Sequence, residues 1–198
     1  MNLPLHSLVA ACRHSEDIRK SRFLAQAAPV ETPQQALACV QQVSDPAATH
    51  NCWAYRIGQD YRFNDDGEPG GTAGRPILQA IEGQGIDRVV VVVTRWYGGI
   101  KLGAGGLARA YGGTAAECLR LAERVPIVAM ARLGVHCQFA DLARMKARLK
   151  ELGAQIEQEL FDVSGVTLHL RLPQERVSEA KLRISDINRG RSDAYALE

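Results

Sequence analysis

The sequence has no C-x-x-C pair, no long apolar run, few aromatic residues and almost no net charge over its 198 residues. Each shortage excludes something. Cys12, Cys39, Cys52, Cys118 and Cys137 are odd in number and widely spaced, which fits reduced thiols in a cytosol and not a disulfide framework. The apolar stretch Val89 to Val93 falls far short of the roughly 20 residues a membrane-crossing helix needs, so no membrane partner is expected. Met1 to His6 show no basic region ahead of an apolar segment; no signal peptide is read, and a cytoplasmic location is expected. A net charge of +2 and a pI near 8.3 lie below the pI of about 9 and above that marks strong nucleic-acid-binding domains. Any affinity for anions must therefore come from local clustering. No G-x-x-x-x-G-K-[ST] run is present, which excludes a P-loop. His50 and Cys52 share one strand face, but no further ligands stand at zinc spacing. What remains, 46% hydrophobic and 23% charged residues, is the make-up of an ordinary globular protein with one large core or two small ones.

Pro126 gives the clearest break, because a helix rarely continues into a proline. Two domains are expected, 1–125 and 126–198. In the second, apolar periodicity predicts a strand over 133–139, a helix over 141–152 ended by Gly153, strands over 154–161 and 163–172 about Asp162, a helix over 173–187 and a strand over 193–197. This βαββαβ order is the split-βαβ, ferredoxin-like arrangement, so the fold class is α+β. In the first domain, strands are expected over 21–28, 51–57 and 89–94. Helices are expected over 33–43, 76–83 and from about Leu107 to Arg124. The valine run lacks alternation, so both its faces should be covered.

Three loop segments collect polar residues and glycines. The first is Lys20-Ser21-Arg22-Phe23. The second runs from Asp65 to Pro76 and includes Asp66, Glu68, Thr72 and Arg75. The third runs from Arg95 to Tyr111, through Gly98, Gly99, Lys101, Gly103, Gly105, Gly106 and Arg109. Glycines let a backbone approach a ligand closely, and the start of the following helix offers unpaired N–H groups to an anion. Lys20, Arg22, Arg75, Arg95, Lys101 and Arg109 are candidate phosphate contacts, with Ser21 and Thr72 beside them. Gly103 to Ala108 match G-x-G-x-x-A, but the glycines sit mid-chain, away from the first strand a dinucleotide fingerprint requires. Asp65, Asp66 and Glu68 form a candidate acidic cluster for Mg²⁺. The competing reading is a solvated turn, with the acids capping backbone amides or pairing with Arg75, Arg95 or Arg109.

Together, Lys20-Ser21-Arg22-Phe23, His50-Asn51-Cys52-Trp53-Ala54, Asp65 to Gly74, and Arg95-Trp96-Tyr97-Gly98-Gly99 through Ala110-Tyr111-Gly112 resemble the IMPACT/YigZ family in order and spacing. The resemblance covers nearly the whole chain. It implies an N-terminal domain like domain 2 of small-subunit ribosomal protein five, and a C-terminal domain similar to domain V of elongation factor G. It also implies a link to translation, since eukaryotic relatives are translation regulators. The leading expectation is a non-enzymatic factor that binds RNA, the ribosome or another polyanion through the Gly/Arg-rich surface. The alternatives are an Mg²⁺-dependent enzyme acting on a phosphorylated or nucleotide substrate, and a module that docks another protein in translation control.

Overall fold

The computed structural model describes residues 5–197, so the reading of the segment Met1 to Pro4 lies outside it. The chain divides into two compact units, residues 1–127 and 128–198.

The first unit is built on the valine run. Strand β6 (Val89–Trp96) is the middle of a five-stranded antiparallel sheet. Its neighbours are β3 (Ser21–Pro29) on one side and β4 (His50–Ile57) on the other. Two strands that the sequence did not disclose complete the sheet, β2 (Cys12–Ile18) beside β3 and β5 (Asp60–Asn64) beside β4. Both are edge strands with alternating or mostly exposed side chains, so neither shows the apolar run that marks a buried strand.

Helices cover both faces of β6. Helix α1 (Pro33–Val43) packs on Trp53, Tyr55, Val90 and Val92. Thr32 fixes its start: the hydroxyl accepts from Gln35 N at 3.2 Å, and Pro33 takes the first turn where no N–H is needed. On the opposite face, Val89, Val91 and Val93 meet α2 (Gly74–Gly83) and α3 (Ala104–Leu121). Each fully buried valine of the run contributes on the order of 1.5–3 kcal/mol by leaving water.

Helix α3 starts and ends three residues earlier than the periodicity predicts. Ala122 turns to extended geometry (φ −73°, ψ 141°). Arg124–Pro126 then becomes strand β7, which pairs with β1 (His6–Leu8). The pairing across the first unit, and not the proline alone, ends the helix.

The second unit contains β8 (Met130–Cys137), α4 (Phe139–Glu151), β9 (Gln155–Phe161), β10 (Val166–Pro173), a single 3₁₀ turn over 174–176, α5 (Val177–Asn188) and β11 (Tyr195–Ala196). The four strands lie in the order β11-β8-β10-β9, antiparallel throughout. This is a βαββαβ unit with its helices on one face. Met145, Leu149, Leu168, Leu170, Leu172 and Ile184 form the dry centre between helices and sheet. Asp162 caps the turn between β9 and β10, its Oδ1 accepting from Ser164 N at 2.6 Å and Gly165 N at 3.0 Å.

Candidate anion-binding cleft

Three loops of the first unit meet at one end of its sheet: the β3 entry, the segment between β5 and α2, and the segment between β6 and α3. The middle loop is ordered by its own acids. Asp65 accepts from Gly71 N (2.8 Å), Ala73 N (2.9 Å) and Gly74 N (2.9 Å), so it caps the start of α2 from a distance. Asp66 accepts from Asn51 N at 2.6 Å. Thr72 turns its hydroxyl back to Pro69 O at 2.6 Å. A Cβ at Gly74 would lie 2.8 Å from the Asn64 backbone, so only glycine lets α2 begin against β5.

This path delivers Glu68 to a buried position beside Arg95, at the end of β6. Arg95 Nη1 donates to Glu68 Oε1 at 2.6 Å, and both side chains are nearly sealed, at 6% and 4% exposed. Tyr111 of α3 donates its hydroxyl to the same oxygen at 2.8 Å. Burial pushes the Tyr111 phenol well above its ordinary range, so it stays a neutral donor. Arg95 Nη2 donates to Ser21 Oγ at 3.3 Å, and the guanidinium lies between the rings of Phe23 and Tyr97, at 5.5 Å and 5.2 Å. Its Nε is buried with no partner among the described residues.

His50 adds a further polar wall. Its Nδ1 lies 2.7 Å from Asp66 O. A carbonyl only accepts, so this nitrogen carries the proton and Nε2 faces Glu68 at 3.8 Å. Behind it, the Cys52 thiol donates to Asp65 O at 3.0 Å, and burial pushes its pKa up to about 12.

Above this floor lies an open cleft of about 430 Å³, lined by Thr49, His50, Glu68, Pro69, Arg95 and Tyr97 with the segment from Lys101 to Ala104. Helix α3 begins at its edge. Gly103 precedes the helix at φ 72° and ψ 165°, a conformation essentially closed to L residues, and provides no side-chain cap. The two helix starts thus differ: Asp65 caps α2, whereas no side chain among the described residues caps α3. Lys101 is exposed at the same rim and has no carboxylate within ion-pairing distance among the described residues. Tyr97 is 44% exposed, and its backbone N–H is held by Thr49 Oγ1 at 2.9 Å.

Several residues expected to contact an anion serve the scaffold instead. The charge of Arg95 is spent on Glu68. Ser21 is fully buried and accepts from both Arg95 and Gly98 N, the latter at 3.3 Å. Gly98 is required for packing, since a Cβ there would stand 1.8 Å from Lys20 O. Thr72 is buried at the α2 entry. The acidic cluster is dispersed in the same way: Asp65 and Asp66 hold backbone amides, Glu68 holds Arg95 and Tyr111. No group of three or more His, Cys, Asp or Glu among the described residues stands together as a metal site would require.

Lys101 and Gly103 do gather at the cleft, whereas Gly105 and Gly106 lie in the first turn of α3 beyond its lining. Arg109 instead lines a neighbouring hollow with Arg19 and Glu16. Arg22 lies 5.1 Å over the Trp96 ring, Lys20 adopts left-handed geometry (φ 69°), Gly99 turns at φ 88°, and Arg75 is exposed at the start of α2. Sequence reasoning did not place Thr49, His50 or Tyr111 at the site. The pairing of an acid in the second segment with Arg95 in the third was one of its stated alternatives.

An α+β chain in two units, with a cleft whose buried ion pair is covered and whose helix start is open, is the class that these features define. The chain belongs to the IMPACT/YigZ family. Residues 19–119 match the Impact N-terminal domain, and residues 135–191 match the domain of unknown function DUF1949. An IMPACT family member from Thermus thermophilus is 48% identical over 175 residues, covering 88% of this chain and 97% of that protein. The IMPACT family member YigZ of Escherichia coli is 35% identical, covering 92% and 93%. A crystal structure titled only as a hypothetical protein superimposes with a TM-score of 0.72 at 33% identity, over 99% of this chain and 98% of that one.

Proposed function

We propose that the chain is a non-enzymatic factor linked to translation, and that its cleft holds a phosphate of single-stranded RNA. The family resemblance supports the link to translation. One observation carries the binding reading: the uncapped start of α3, with Gly103 before it, shares a cleft with Lys101, while the one acid on the cleft floor is already neutralised by Arg95. Helix N–H groups and an unpaired ammonium together suit a phosphate. The half-exposed ring of Tyr97 on the same wall offers a base a stacking face. Lys20, Arg22 and Arg75 make no ion pair among the described residues but lie outside the lining of the cleft. The committed carboxylates speak for binding and against an acid–base step at this site.

The test is fluorescence anisotropy of a labelled single-stranded RNA against salt concentration. Binding should weaken steeply with salt. Lys101→Ala should lower affinity and flatten the log–log slope by about one phosphate contact. Tyr97→Ala should lower affinity by about 1–3 kcal/mol without changing the slope. Affinity that ignores salt, or that Lys101→Ala leaves unchanged, refutes the reading.

A further inference from the structure

We propose that Cys12 and Cys118 form a reversible disulfide under peroxide, tying edge strand β2 to helix α3. The two sulfurs lie 3.6 Å apart across 106 residues of sequence. All five cysteines are free in the reduced chain, and no other pair among the described residues has its sulfurs in contact.

The two members of the pair have different surroundings, which divides the roles. Cys118 is 1% exposed, inside the core between α3 and the sheet, with its sulfur 3.7 Å from Ala25 O. Cys12 is only partly buried. The residue borders a surface groove of about 370 Å³, together with Arg13, Gln26, Ala27, Cys39 and Val43. A small oxidant therefore reaches Cys12 first. The contact between the sulfurs lowers the Cys12 thiol to about 7 and pushes that of Cys118 up, so Cys12 is the more readily ionised of the two. Cys39, on the same groove, is pushed up by burial and has no sulfur neighbour.

The chemistry balances with peroxide as the oxidant. The Cys12 thiolate attacks one peroxide oxygen, the O–O bond breaks, and hydroxide leaves to be protonated to water; Cys12 is then a sulfenic acid. The Cys118 sulfur attacks Cys12 Sγ, the S–O bond breaks, and the departing hydroxide takes the Cys118 proton as a second water. Two thiols and one peroxide give one disulfide and two waters. Closing from 3.6 Å to the roughly 2 Å of a disulfide asks for a small shift. Cys12 is the first residue of an edge strand, where the backbone has a neighbour on one side only. The site is separate from the cleft: Cys118 stands fourteen residues beyond Ala104, about 21 Å along α3.

The experiment treats the full chain with stoichiometric hydrogen peroxide, counts thiols after denaturation, and maps peptides without reduction. The thiol count should fall from five to three, the monomer mass should drop by two hydrogen atoms, and one linked peptide pair should join Cys12 to Cys118. Dithiothreitol should restore all thiols. Cys39→Ser should leave the link intact, and Cys118→Ser should leave Cys12 as a sulfenic acid that dimedone captures. Five thiols remaining after peroxide, or a link formed through Cys39, overturns the proposal, and the wild-type mapping decides this even if a variant fails to fold.

Discussion

Replacing Arg95 by methionine keeps most of the side-chain volume and its contacts with Phe23 and Tyr97, but removes the charge facing Glu68. That carboxylate is 4% exposed and accepts at 2.6 Å from Arg95 and at 2.8 Å from Tyr111. With Arg95 gone, the Tyr111 hydroxyl is left as hydrogen-bond donor to a charge sealed from water, with His50 Nε2 3.8 Å away. Stranding one member of a buried pair costs about 3–5 kcal/mol. In a unit of 127 residues this corresponds to a fall in Tm of roughly 10–20 °C. Glu68→Gln should cost less, because the neutral amide still fits while the guanidinium keeps Ser21 and both rings. The double variant Arg95→Met/Glu68→Gln should be more stable than the sum of the single losses, by about 1.5–3 kcal/mol. Urea unfolding of the four proteins measures all terms. Additive losses, or a cost below about 1 kcal/mol for Arg95→Met, would refute the assignment of this pair as the floor of the cleft.

Tyr111→Phe removes one hydrogen bond to a charged oxygen and should cost about 1.5–3 kcal/mol by urea unfolding. Gly98→Ala places a methyl 1.8 Å from Lys20 O, a backbone atom that cannot swing aside; a loss above about 3 kcal/mol and a displaced Tyr97 in the fluorescence spectrum are expected. Alkaline stability should depend on Cys52. Its thiol moves from the ordinary 9.0 to about 12, chiefly by burial, so between these values the unfolded chain has released a proton that the folded chain keeps. Stability from this residue therefore falls as pH rises above 9, by about 1.4 kcal/mol per unit. Between pH 9 and 11 Cys52→Ala should lose about 2–3 kcal/mol less than wild type, and identical losses would contradict the buried thiol.

The parts of the fold that were legible are those where burial writes a period. The valine run announced the central strand because each face of it meets a helix. The βαββαβ order of the second unit followed from Leu142, Met145 and Leu149 and from the alternation of β10. Strands β2 and β5 were not legible, since Cys12–Ile18 and Asp60–Asn64 lie at sheet edges and carry mostly exposed side chains. At the site, residue types were legible and their roles were not. Arg95 looked like a ligand contact because a cation beside glycines suits an anion; only the path of the loop from Asp65 to Gly74 shows that Glu68 reaches it first. Conversely, nothing in the sequence marks the α3 start as uncapped and the α2 start as capped. That difference depends on one Asp65 carboxylate eight and nine residues away.

The cleft itself is tested most directly by titrating the isotopically labelled chain with a short 5′-phosphorylated RNA and following its backbone amides by NMR. The signals of Ala104, Gly105 and Gly106 should shift first and saturate together with those of Lys101 and Tyr97, while Gly71 and Gly74, whose amides Asp65 already holds, should move little. Shifts confined to the second unit, or absent from the start of α3 at saturation, would contradict the account.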